Sequence, residues 1–103
     1  MRDRQVRRRL LHRHNELLGL TWDALSDGLA ATGRRWGEAA AACSASLSIL
    51  LEHYPADSLP VAYQQLKCAA LFRRGGDQQR AGSLEAAAGR AMHLHFGDER
   101  HSD

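Results

Sequence analysis

Arginine supplies most of the chemistry available to this chain. Of fourteen basic residues, only Lys67 is a lysine. Arg2, Arg4, Arg7, Arg8, Arg9 and Arg13 stand against Asp3 alone, so residues 1–14 carry +5. The remainder then carries −3 within a total of +2. A guanidinium binds phosphate and guanine bidentately, where an ammonium acts as a point charge. A basic end on a slightly acidic body therefore points to an anionic partner or to a solvated arm. Arg34-Arg35 forms a second, smaller basic element. Histidine is paired as His12/His14 and His93/His95, with His101 beyond. Residues i and i+2 of a helix face different sides, so neither pair clamps a metal while helical. No metal and no cofactor is expected. Cys43 and Cys68 sit in alanine-rich stretches and read as small buried hydrophobes. Two such cysteines without a leader peptide point to a reducing, cytoplasmic setting. Asp23/Asp27 and Asp98/Glu99 read as helix-end and tail charges. No glycine-rich phosphate loop or nucleophile elbow accompanies them, and catalysis is not expected.

The elements that must position these groups are helices. Val6, Thr21, Thr32, Ile49 and Val61 are the β-branched residues, while alanine and leucine dominate. Such a composition favours an all-α domain, a small bundle of five to six helices spanning 1–103. No apolar run reaches the 18 residues of a membrane span. The first helix is expected over 3–18, with Val6, Leu10, Leu17 and Leu18 as its apolar stripe and Gly19 as its stop. Thr21 reads as the cap of a second helix that runs to about Ala31. Thr32-Gly33 makes a turn, and a third helix starts near Arg34. That helix either stops at Ser44–Ser46 or continues to Tyr54. Pro55 closes the segment. Asp57 or Ser58 caps the next helix, with Pro60 in its first turn, running to about Phe72. Arg73-Arg74-Gly75-Gly76 reads as a flexible break. Ser83 reads as the cap of a last helix through about His95. The two C-terminal helices thus fill 58–95, and the tail 96–103 is expected to fray.

The stretch from Gly19 to Ala39 carries a recognisable rhythm. Gly19-Leu20-Thr21, Leu25 and Leu29 recur with a small residue, Ser26, five positions after Thr21. Thr32, Trp36 and Ala39 complete the spacing. This pattern resembles the lambda-repressor/Cro-like helix-turn-helix family over residues 10–43, with the motif itself at 20–43. Trp22 after the threonine is also similar to the N-terminal helical domain of cyanases, whose catalytic domain has no counterpart in this chain. The resemblance implies a small dimeric transcription regulator that reads duplex DNA with the helix after Gly33. It implies that Thr32, Arg34, Arg35 and Glu38 face the major groove, with Arg34 and Arg35 on guanine. Arg7, Arg8, Arg9 and Arg13 would then hold phosphates. The residues after Pro55 would form the dimer interface.

Two other readings fit the same chain. One is a helical adaptor or inhibitor that binds a protein partner through an Ala/Leu surface and binds no nucleic acid. The other rests on Arg90-x-x-x-x-His95, which resembles the catalytic spacing of HEPN-type ribonucleases. Arg7 with His12 and Arg9 with His14 have that spacing too.

Overall fold

The computed structural model describes residues 2–97, without the side chains of 2–4, 11 and 12. It is all-helical in that range, with four helices where five to six were expected: α1 (Arg2–Ala31), α2 (Trp36–His53), α3 (Leu59–Arg74) and α4 (Gln78–Phe96).

The first correction concerns Gly19. The expected first and second helices are one continuous helix, α1, of 30 residues. A glycine stop needs a left-handed residue, and Gly19 is not one of the positive-φ glycines. Gly19 instead lies buried against α2, where an added Cβ would sit 3.4 Å from Cγ2 of Ile49. Thr21 caps nothing: its hydroxyl donates to the carbonyl of Leu17 one turn back, at 2.8 Å. The left-handed stop falls at Gly33, with φ 70°. Its N–H donates to the Ala30 carbonyl at 3.0 Å, which closes α1.

The open question at Ser44–Ser46 resolves to one helix. α2 runs unbroken from Trp36 to His53, because Ser46 and Leu47 are both buried on its packed face. Pro60 lies in the first turn of α3, as its fixed φ and missing N–H allow. Ser58 is the N-cap residue of α3, but its hydroxyl makes no capping bond. Arg73 and Arg74 are the last turn of α3 rather than a flexible break. Gly76, at φ 91°, turns the chain. Asp77, not Ser83, caps α4, accepting from the N–H of Arg80 at 3.0 Å. Ser83 is interior to α4 and α4 reaches Phe96; residues 98–103, including Asp98, Glu99 and His101, lie outside the described range.

Each helix packs mainly on its neighbour in sequence: α1 on α2, α2 on α3, α3 on α4. The result is a slab 48 × 42 × 20 Å. Its thickness is about two helix diameters. The core is built from small side chains. Ala39, Ala40, Cys43, Leu47, Val61, Cys68 and Leu71 form the main cluster, edged by Leu29, Trp36, Phe72 and Leu84. Ala62, Ala88 and Ala91 form a second cluster between α3 and α4.

Candidate interaction surface and the buried polar cluster

α1 and α2 form a long antiparallel hairpin. Its register follows from three pairings. The Ser26 hydroxyl donates to the Ala39 carbonyl at 2.8 Å. Gly19 meets Ile49. The Asn15 amide donates to Glu52 at 3.3 Å and touches His53 Nε2 at the same distance. Because α2 ends at His53, opposite Asn15, the part of α1 before residue 15 overhangs it. The overhang is about 20 Å long at ~1.5 Å per residue. An isolated helix shorter than about 12–15 residues is marginal in water.

This geometry fixes where the arginines lie. Arg7, Arg8, Arg9 and Arg13 are exposed on the overhang. Arg34 and Arg35 lie in the turn at the far end of α1. From Arg9 to Ala31 the helix covers about 33 Å at ~1.5 Å per residue. The two basic elements therefore do not meet. Arg35 is ion-paired with Glu38 one turn into α2. Thr32 is engaged locally, donating to the Leu29 carbonyl at 2.7 Å and accepting from the Arg34 N–H at 3.3 Å. A reading helix crosses its partner steeply and projects from the domain. α2 instead lies alongside α1 for its whole length.

The expected apolar stripe of α1 does not face the core. Val6 is 53% exposed, Leu10 61%, Leu17 65% and Leu18 41%, and Leu20 beyond them is 66% exposed. Asn15, Gly19, Ser26 and Leu29 are the packed side, half a helical turn away. The outward residues recur at alternating spacings of four and three: Val6, Leu10, Arg13, Leu17, Leu20, Ala24. This 4-3 spacing, with Arg13 at one of its six positions, is the period of 3.5 that a coiled-coil seam uses. The reading of Gly19-Leu20-Thr21 as a break hid it, because the spacing is regular only if the helix is continuous. Leu18, Trp22 and Leu25 widen the exposed apolar surface of α1. After Pro55 the exposed large apolar residues are Tyr63, Leu66, Leu94 and Phe96.

No protein-family model, curated protein sequence or solved structure matches the chain.

Where α1, α2 and α3 meet, a partly buried polar cluster forms. Lys67 of α3 donates to Asp23 at 2.7 Å and is ion-paired with Asp27 at 2.8 Å. The Gln64 amide reaches both Asp23 Oδ1 at 3.1 Å and Cys43 Sγ at 3.2 Å. Cys43 and Cys68 are fully buried, with their sulfurs 2.6 Å apart and Cys68 donating. That bond holds the Cys43 thiol below its ordinary range against the opposing effect of burial. The same bond, together with burial, pushes Cys68 up. Burial raises the Asp23 carboxyl, but the bonds from Lys67 and Gln64 outweigh it and leave the group below its usual value of 3.8. Burial likewise lowers Lys67, and its two carboxylate partners more than restore it, to above 10.5. The expected consequence has two limbs. The Asp23 contribution is complete above the unfolded pKa and is lost as pH falls through the lowered folded value. The Lys67 contribution is complete below 10.5 and is lost as pH rises through the raised folded value. Lys67→Met should cost about 1 kcal/mol at neutral pH and flatten both limbs, as urea unfolding across pH will register.

A groove of about 330 Å³ runs beside this cluster between α1, α2 and the start of α3, with Asn15, Asp23, His53, Tyr54 and Gln64 on its walls and the exposed Leu20 at its rim. Another, of about 420 Å³, lies between the α2–α3 loop and α4. Arg90 lines it with His93, not with His95. The His95 ring nitrogen is 2.9 Å from the Asp57 carbonyl, which ties the end of α4 to that loop. No group of three potential metal ligands exists among the described residues. No described helix is long and apolar enough to cross a membrane.

Proposed function

We propose that the chain is a helical protein–protein interaction module whose docking element is the outward face of α1. The observation that carries this is the exposed 4-3 seam from Val6 to Ala24, opposite the face that packs on α2. Solvated helix faces are ordinarily polar, and a 3.5-residue spacing that is apolar at five of six positions is the pattern that a second helix covers. The overhang adds to this. A helical segment without intramolecular support gains most from a partner laid along it.

The test is direct. Leu17→Glu with Leu20→Glu replaces two residues that make little contact within the chain. Circular dichroism and the unfolding midpoint should stay close to those of the parent. Any assembly the purified protein forms, with itself or with another protein, should dissociate. An assembly that survives these changes rejects the docking role of α1.

A second reading keeps duplex DNA as the ligand, favoured by the exposed Arg7, Arg8, Arg9 and Arg13 on the overhang. The helix-turn-helix resemblance contributes less to it, since Arg35 and Glu38 are bound to each other. Binding would be through phosphates, without base reading. Four phosphate contacts give a slope of about −4 for log K against log salt. Anisotropy titrations should show that slope falling by about one for each arginine replaced by alanine. No binding at low salt rejects this reading.

A further inference from the structure

On the reading of α1 as a docking helix, we infer that its partner is a second copy of this chain, lying antiparallel along α1. The charges of the helix select this arrangement. Its first half carries Arg7, Arg8, Arg9 and Arg13, and its second half carries Glu16, Asp23 and Asp27, of which the two aspartates share the single cation Lys67 and so keep the half net acidic. Parallel pairing would bring two sets of arginines side by side. Antiparallel pairing lays the basic half of each copy on the acidic half of the other.

The apolar positions fix the register. Leu10 stacks on the partner's Leu20, Val6 on the partner's Ala24, and Arg13 on the partner's Leu17. A two-fold axis beside Asn15 repeats each layer, which gives six layers over three heptads. The seam is about 27 Å long at ~1.5 Å per residue. In this register Arg13 comes beside the partner's Glu16. The stem of Arg13 covers the seam while its guanidinium reaches the flank. The same seam would serve a foreign helix less specifically, because only a copy of this chain necessarily carries the complementary charges in reverse order. The pairing also covers the overhang of each copy with the α1 of the other.

Sedimentation equilibrium of the full chain tests the inference. The parent should be a dimer at micromolar concentrations. Leu10→Glu with Leu17→Glu should weaken it by more than about a hundredfold. Arg13→Glu and Glu16→Arg should each weaken self-pairing about tenfold. Making both changes in one chain should restore the dimer, because positions 13 and 16 then again meet as opposite charges across an antiparallel pair. Restoration by the combined change is specific to the antiparallel register, since parallel pairing sets position 13 beside position 13 and leaves like charges together. A monomer at every concentration overturns the inference, as does a dimer insensitive to the leucine changes. A dimer lost with the leucines but not restored by the combined change overturns the antiparallel arrangement. If the chain is monomeric but loses a co-purifying protein when Leu17 is charged, the docking role of α1 stands and the second copy is rejected as its partner.

Discussion

A chain in which Gly28, Gly82 and Gly89 are all alanine is expected to be about 2–3 kcal/mol more stable than the parent. All three glycines are inside helices, and none has a positive φ. A Cβ added at each meets nothing within 4 Å. Each substitution thus removes backbone freedom from the unfolded chain and introduces no clash. The sites are separated, so their effects should add. For a domain of this size the melting temperature should rise by more than about 10 °C. Gly33→Ala is the contrasting control. It has equal space around it, but φ is 70°. It should cost about 1 kcal/mol, through the left-handed backbone alone. Thermal and urea unfolding of the triple variant and of this control will separate the two effects.

The second large effect runs the other way. Ala40→Leu and Ala62→Leu are each expected to cost about 3 kcal/mol, at the upper end for overpacking. Both alanines are fully buried, Ala40 among the α2–α3 core residues and Ala62 against Ala88 and Ala91. Helices held together by methyl groups lie close, and three further carbons cannot enter without separating them. Ala41→Leu, on the exposed side of α2, should change stability by less than about 0.5 kcal/mol. Comparing the three urea midpoints tests whether the small core is a close contact or a loose one.

The helical class and the alanine core were legible in composition, because few β-branched residues leave little to build a sheet. Helix ends were legible where a single residue decides them. Pro55 and Gly33 mark the chain breaks because each has a local backbone reason. Gly19 misled because glycine serves two purposes that sequence alone does not separate. It permits a left-handed stop, and it permits a neighbouring helix to approach. The partner that distinguishes them, Ile49, is thirty residues away. Ser83 misled in a similar way, since Asp77 six residues earlier also satisfies the capping rule. The stripe of Val6, Leu10 and Leu17 was visible, but its direction was not. Periodicity shows that one face of a helix is apolar, and only the position of α2 shows that this face is turned outward. The Asp23–Lys67–Gln64–Cys43–Cys68 cluster left no local signal, because its members come from three helices.

The packing of each helix on its immediate neighbour also governs how the chain assembles. Few native contacts require distant segments to find each other, so contact order is low and little loop-closure entropy must be overcome. Folding should proceed from any one hairpin outward, and opening should proceed from the ends inward. Amide exchange should record this as a gradient. Protection is expected to be greatest in α2 and α3, which are flanked on both sides, lower in α4, and least in the first four turns of α1.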